Sequence, residues 1–113
     1  MPRQVRLRPR ARADLSDIWD HTVAQWSVAQ AEAYLGGLDA VLTLIAAQPE
    51  IARLRPEFSP PVRLHPYRRH VIVYRAEDTA IEVVRILHAR SNWAVLLGES
   101  GGADQAPIAF VRD

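Results

Sequence analysis

The chain has 113 residues and is 49% hydrophobic, which suits one packed domain and leaves no room for a second. It has no cysteine, which excludes disulfides and cysteine-ligated metal sites, and all 14 basic side chains are arginine, which excludes lysine as a base or nucleophile. The net charge is +1, but residues 1–12 and 53–90 are basic while residues 13–52 and 91–113 are acidic. This segregation indicates separate surfaces for different partners. The alternative is that the alternating charge only keeps a small domain soluble.

The first predicted elements are a strand and a helix. Residues 3–8 alternate, with Val5 and Leu7 on one side, as in a half-buried strand. A helical stripe then recurs at three- and four-residue steps through about residues 10–26, and it consists of Leu15, Ile18, Trp19, Thr22, Val23 and Trp26. This spacing predicts an amphipathic helix with Trp19 and Trp26 in the core.

A second helix is predicted over residues 28–48. Ser27 and Gln30 have the spacing of a capping box at its start. Gly36 and Gly37 in its middle each cost about 1 kcal/mol relative to alanine, which close approach to the neighbouring helix would offset. Because almost no loop separates the two helices, they are expected to form an antiparallel hairpin.

Three strands follow a proline-rich connector, at residues 62–65, 70–75 and 80–88. They are rich in β-branched residues and are joined by short polar turns, which predicts an antiparallel meander with the N-terminal strand at an edge. The order β-α-α-β-β-β indicates an α+β fold in which the two-helix hairpin is packed on an antiparallel sheet. Residues 1–97 would form this domain and residues 98–113 a C-terminal tail.

Several features of the sequence argue against a membrane, metal or cofactor site. The N-terminus carries charge without an apolar region behind it, so it is not a signal peptide. No apolar run approaches the length of about 20 residues that spans a bilayer. The four histidines, His21, His65, His70 and His88, lack metal-ligand spacing. A soluble cytoplasmic protein without cofactors is therefore expected.

Two segments carry patterns of a known family. The first is Ala-x-x-Asp-Leu-x-x-Ile-Trp, beginning at Ala11. The second, residues 63–93, has an x-Pro-x-x-Arg turn before an apolar Tyr-Arg strand, and a Val-x-Arg-Ile-Leu-His-x-Arg strand after it. Together they resemble the first helix and the sheet of ParE-type toxins of the RelE/ParE superfamily, and the likeness runs from about residue 3 to residue 97.

The resemblance implies the toxin of a type II toxin–antitoxin system with the fold predicted above. ParE-like members inhibit DNA gyrase by binding it, and a ParD-like antitoxin wraps around the toxin in a hetero-oligomer. RelE-like relatives instead cleave mRNA on the ribosome. A third alternative is a degenerate, non-toxic member that only binds its antitoxin.

The available side chains favour binding over cleavage. Nucleases of the superfamily use Lys or Arg, an acid–base pair and often a C-terminal Tyr, whereas this chain has no Lys and no Tyr after Tyr74. His88 and Arg90 are the best candidates for a base and a phosphate clamp, but a histidine at a strand end is more often structural. No catalytic residue is therefore predicted.

Candidate binding residues cluster in the basic parts of the chain. The predicted target-binding residues are Arg63, Arg68, Arg69, Arg85, His88, Arg90 and Trp93, with Trp93 as the aromatic anchor. An acidic, partly disordered antitoxin segment is expected to fold onto Arg3, Arg6, Ile108 and Phe110. The alternatives for the arginine cluster are a solvated sheet edge or a nucleic-acid patch.

Overall fold

In a computed structural model, which describes residues 2–92 and 95–97, two helices pack on a five-stranded sheet. The elements in chain order are β1 (Gln4–Leu7), α1 (Pro9–Gln25), α2 (Val28–Ala47), β2 (Leu54–Arg55), β3 (Val62–Tyr67), β4 (His70–Ala76) and β5 (Ala80–His88). The predicted α+β fold is confirmed, and the short strand β2 and a 3-10 turn at Pro49–Ile51 are additions to it.

The strand order in the sheet is β1-β5-β4-β3-β2. β3, β4 and β5 form the predicted antiparallel meander. β1 lies at the predicted edge but runs parallel to β5, with Gln4 beside Ala80 and Leu7 beside Val83. The sheet is therefore mixed, and its first strand pairs with its last.

The main core lies between the helical hairpin and the sheet. Its buried side chains include Ile18 of α1, Leu38 and Ile45 of α2, and Ile72 and Tyr74 of β4. The Tyr74 hydroxyl donates a hydrogen bond to the carbonyl of Pro49 at 2.6 Å, and burial raises the pKa of Tyr74. This bond satisfies the one polar atom that Tyr74 brings into an apolar interior.

A second cluster covers the other face of the sheet. It contains Val73, Val84 and Leu87 of the sheet together with Leu97, and Phe58 of the connector packs against it. Because β5 is buried on both faces, its sequence is a nearly continuous apolar run. The covered face explains why β5 is the most easily predicted strand in the chain.

The two helices begin and meet largely as the sequence predicts. Ser27 precedes α2, and its Oγ accepts a hydrogen bond from the backbone N–H of Gln30 at 3.0 Å. The expected contact of the central glycines is wrong, because a Cβ at Gly37 would collide with the Tyr67 hydroxyl of β3 and not with α1. A Cβ at Gly36 would meet nothing within 4 Å.

α2 is long and apolar enough to span a bilayer, by length and composition alone. Glu32 and Asp39 interrupt this helix, so it is not a continuous apolar run. Five residues of α2 are buried within the domain: Ala31, Leu38, Leu42, Ile45 and Ala46. The length and composition of α2 thus also suit a helix that holds a hairpin against a sheet.

Part of the sequence-based prediction falls beyond the described chain. Trp93 and residues 98–113, which include Ile108 and Phe110, lie outside the described residues. Their assignment as target anchor, C-terminal tail and antitoxin contacts stays a prediction.

Candidate partner-binding site

A groove of about 640 Å³ lies between the hairpin and one end of the sheet. α1 contributes Asp14 and Asp17 to its lining, and the turn between β3 and β4 contributes Arg68 and Arg69. The buried apolar part of the lining is Ile18, Ile86 and Leu87. The groove therefore combines apolar surface with acidic residues from one element and basic residues from another.

The basic end of the groove is built by two chain reversals that touch. Arg68 and Arg69 form the turn between Tyr67 and His70, which are paired across β3 and β4. After β5 ends, the backbone N–H of Ala89 donates to the carbonyl of Arg69 at 2.7 Å. This bond brings Arg90 and His88 to the same end of the sheet as Arg68 and Arg69.

Tyr34 of α2 connects the turn formed by Arg68 and Arg69 to the helical hairpin. Its hydroxyl lies 2.8 Å from Nδ1 of His70 and accepts the backbone N–H of Arg69 at 3.3 Å. The Tyr67 hydroxyl donates to the carbonyl of Tyr34 at 2.8 Å, and the two tyrosine rings meet edge to face at 5.0 Å. The position of the turn therefore depends on one tyrosine of a helix.

His70 is held in its neutral form by these surroundings. Burial lowers the pKa of His70 below its usual value of 6.5, and the next largest cause is His88, whose ring lies 5.4 Å away. Arg69 and His21 lower this pKa as well, and Asp14 opposes them. Burial also raises the pKa of Tyr34, so the hydroxyl keeps its proton. The pair is thus a neutral hydrogen-bonded unit at neutral pH.

His88 has a defined tautomer. Its Nδ1 accepts the backbone N–H of Arg90 at 3.1 Å, and the Ser91 hydroxyl donates to its carbonyl at 2.6 Å. Because a neutral imidazole carries one proton and Nδ1 is an acceptor, the proton is on Nε2. His88 therefore presents an N–H donor, and no basic nitrogen, through its other edge.

Trp26 is not a core residue, contrary to the sequence-based prediction. It follows the last residue of α1, its side chain is 65% exposed, and it lines the groove. The helical stripe was extended one residue too far, because Trp26 takes a non-helical conformation at the C-cap of α1. Trp19 is half-buried. An exposed indole beside the groove is a candidate aromatic anchor.

Arg85 is also placed differently from its prediction as a target-binding residue. Its side chain is buried and makes two hydrogen bonds to Asp14, of 2.8 Å from Nε and 3.0 Å from Nη2. One carboxylate oxygen of Asp14 also accepts the backbone N–H of Ile86 at 2.8 Å. Arg85 therefore supports the wall of the groove and is not a surface contact.

Arg63 lies apart from the groove and has a role in the fold. Its Nη1 donates to the carbonyl of Ala52 at 2.6 Å, which ties β3 to the connector. Arg3 likewise donates to the carbonyl of Glu77 at 2.7 Å, whereas Arg6 is exposed on β1. Of the predicted target-binding residues within the described chain, the structure brings together Arg68, Arg69, His88 and Arg90.

Tyr34, His70 and Trp26 were missed as site residues. Tyr34 lies within the second predicted helix, and a buried tyrosine hydroxyl requires a partner and so marks a polar contact. His70 was taken as the first residue of a strand. No group of three or more His, Asp or Glu side chains within residues 2–92 and 95–97 is arranged to hold a metal ion.

Comparison with known proteins identifies the family. Residues 5–93 match the model of the family described as "ParE toxin of type II toxin-antitoxin system, parDE". This chain belongs to the ParE toxin family. The matched residues span both helices and the whole meander, so the resemblance seen in the sequence is confirmed over the ParE domain.

Individual ParE proteins are similar over most of their length. The chain is 41% identical over 85 residues to "Toxin ParE1" of Mycobacterium tuberculosis, which covers 74% of this chain and 87% of that protein. It is 34% identical over 93 residues to "Toxin ParE1" of Caulobacter vibrioides, which covers 82% of this chain and 96% of that protein.

A solved structure shares the ParE fold. It is described as "Chromosomal ParDE TA system from P. aeruginosa", and it matches with a TM-score of 0.66 at 20% identity. The match covers 76% of this chain and 95% of the other chain. At 20% identity, this match shows that the two chains share a fold and nothing more.

Proposed function

We propose that this ParE-family toxin acts by binding DNA gyrase, without catalysis, and that a ParD-like antitoxin neutralises it in a cytoplasmic hetero-oligomer. Family membership supports the toxin–antitoxin class. The choice of a binding mechanism over RNA cleavage rests on the tautomer of His88. The target surface proposed here is the basic end of the groove, lined by Arg68, Arg69 and His88, together with Arg90 of the adjoining turn.

If this protein were a ribonuclease, His88 would be the candidate for its general base. A base must offer a lone pair to the 2′-hydroxyl of RNA. Nδ1 of His88 already accepts the N–H of Arg90, which leaves Nε2 protonated and unable to accept another proton. The Nε2–H of His88 is therefore suited to donating a hydrogen bond to a partner.

Two of the arginines that could stabilise a phosphorane are held by contacts within the fold. Arg85 is buried against Asp14, and Arg63 donates to the carbonyl of Ala52. Arg68 and Arg69 are exposed and remain on the groove. A basic rim without an oriented base favours electrostatic recognition of a partner surface.

The antitoxin proposal rests on charge and on family membership. Arg3, Arg6 and Arg8 lie along β1 and its flanks at the edge of the sheet, in a segment of residues 1–12 that carries no acid. An acidic segment that orders on binding would be attracted there. Ile108 and Phe110 stay proposed contacts of the same partner.

The test compares two substitutions of one side chain. In His88→Asn the amide oxygen can take the place of Nδ1 and accept the Arg90 N–H, whereas His88→Gln places its amide nearer the position of Nε2. We expect purified wild-type protein to inhibit gyrase supercoiling. We expect His88→Asn, which keeps the turn but lacks the Nε2–H donor, to weaken inhibition by about tenfold or less.

Ribosome-bound mRNA cleavage and growth are measured with the same proteins. Cleavage by wild type that disappears in both His88 variants would overturn the binding mechanism in favour of a ribonuclease. Absence of any growth defect would indicate a non-toxic member. Relief of growth inhibition by a co-expressed ParD-like protein, together with co-purification of the two chains, tests the antitoxin proposal.

A further inference from the structure

The basic end of the groove carries two arginines, one of which, Arg68, has its guanidinium 5.7 Å from the centre of the Tyr67 ring. Within residues 2–92 and 95–97, no carboxylate forms an ion pair with Arg68 or Arg69. Arg68 also has φ 51°, a conformation that favours Gly or Asn and costs other residues about 1 kcal/mol. An arginine that keeps this conformation and has no counterion among the described residues can pair with an anionic group of a partner.

Two imidazole N–H donors lie next to these arginines. Nε2 of His88 carries the proton because Nδ1 accepts from Arg90. For His70, the Tyr34 hydroxyl is 2.8 Å from Nδ1 but 3.5 Å from the Tyr67 carbonyl, which favours donation to Nδ1 and again leaves the proton on Nε2. Both imidazoles line the groove, so their donors and the arginines converge on one end of it.

The remainder of the lining limits what an anionic partner can be. Two aspartates, Asp14 and Asp17, face the groove from α1, but Asp14 is already paired with Arg85, so Asp17 alone offsets part of the positive charge of Arg68 and Arg69. A polyanion such as nucleic acid needs a strongly positive surface, which this end of the groove does not offer. A single carboxylate flanked by apolar groups instead fits an arginine end, an apolar floor and the exposed indole of Trp26.

We propose that the groove binds an acidic segment of a partner protein, with one carboxylate held by Arg68, Arg69 and the Nε2–H groups of His88 and His70. Adjacent apolar side chains of the segment pack between Trp26 and Ile18. This inference rests on the proposed function in one respect, namely that the toxin acts through a protein partner. It adds which chemical group of that partner is recognised.

The probe is a capped hexapeptide of alternating glutamate and leucine, titrated into isotope-labelled full-length protein and followed by NMR. We expect saturable shifts of the Arg69, His88 and Trp26 signals. The matched peptide with glutamine in place of glutamate removes the charge alone, and we expect it to bind about tenfold more weakly, since a charge-assisted hydrogen bond is the stronger kind.

Two arginine variants provide the matched protein control. Arg69→Ala keeps the backbone N–H that binds Tyr34 and should weaken binding of the acidic peptide by about tenfold. Arg53→Ala removes the same charge next to β2, at the far edge of the sheet, and should leave binding unchanged. Equal binding of both peptides, or equal loss in both variants, would overturn the proposal.

A short single-stranded RNA and inorganic phosphate test the competing partner class. If either shifts the same signals more strongly than the acidic peptide, the site is a nucleic-acid site and the proposal is overturned. Gyrase inhibition is measured on the same preparations. Gyrase inhibition without peptide binding contradicts the carboxylate site alone, whereas peptide binding without gyrase inhibition contradicts the gyrase proposal alone.

Discussion

Two adjacent glycines in α2 have opposite surroundings. Gly36 faces open space, whereas a Cβ on Gly37 would overlap the Tyr67 hydroxyl and would lie 3.1 Å from the Cζ atom of that ring. Tyr67 cannot move away without losing its bond to the carbonyl of Tyr34. The sequence places the two glycines together, but it contains no signal for which of them a strand residue about 30 positions later requires.

Alanine substitution should therefore act in opposite directions at these two positions. Gly36→Ala should stabilise the protein by about 0.5–1 kcal/mol, the difference in helix propensity. Gly37→Ala should destabilise it by about 1–3 kcal/mol, as expected of overpacking. The free energies of unfolding are measured by urea denaturation, and Gly37→Ala combined with Tyr67→Phe should recover part of the loss. Equal stabilisation by both alanines would contradict the packing described here.

At the scale of elements, α1 completes an edge that β1 leaves open. β1 covers β5 only from Ala80 to Val83, and beyond it the Asp14 carboxylate accepts the N–H of Ile86 and pairs with Arg85. The Nη1 atom of Arg85 is buried and has no acceptor among the described residues. The Arg85 side chain and the Ile86 N–H therefore both depend on the carboxylate of Asp14.

Asp14→Ala should leave a buried guanidinium without a counterion and destabilise the protein by about 3–5 kcal/mol. Thermal or urea denaturation measures the change. Arg75→Ala is the matched control, because its pair with Glu82 is long, at 3.4 Å, and partly exposed, so a loss of less than about 1 kcal/mol is expected. Asp14→Leu with Arg85→Met should be more stable than Asp14→Ala; if it is not, the ion pair is not the cause.

The elements themselves were predictable, because both helices carry strong apolar periodicity and the three strands of the meander are rich in β-branched and other apolar residues. The misplaced residues belong to contacts between elements. Arg85 lies between apolar residues of β5, a pattern that predicts an exposed side chain. The pairing of β5 with β4 skips Val84, however, and the partner of Arg85, Asp14, is 71 positions away in the sequence. Trp26 was misplaced for another reason. It continues the three- and four-residue apolar spacing of α1, but the helix itself ends at Gln25.

At the scale of the whole molecule, His70 links stability to pH. Its pKa is lowered in the fold, so the folded protein favours the neutral imidazole while the unfolded chain takes up a proton near the usual value of 6.5. The stability present above that pH is lost as the pH falls from 6.5 towards the lowered pKa. His70→Asn, which keeps an acceptor for the Tyr34 hydroxyl, should be less sensitive to pH in this window.

The measurement is the free energy of unfolding by urea at a series of pH values above and below 6.5, for wild type, His70→Asn and His65→Gln. His65 lies on β3, where its Nδ1 contacts the carbonyl of the following Pro66. Removing His65 controls for the loss of any one histidine and should retain the wild-type slope. A wild-type slope in His70→Asn would assign the pH dependence to another group.

The parallel pairing of β1 with β5 has a consequence for how the chain is made. β1 ends at Leu7, but it has no strand beside it until residues 80–83 have been added, and the Asp14 contact with Arg85 requires the same stretch of chain. Contacts so distant in sequence raise contact order and slow folding. Most of this polypeptide therefore leaves the ribosome before β1 can pair with β5 and complete the sheet. The time of synthesis thus separates the start of translation of the toxin mRNA from the appearance of a folded, active protein.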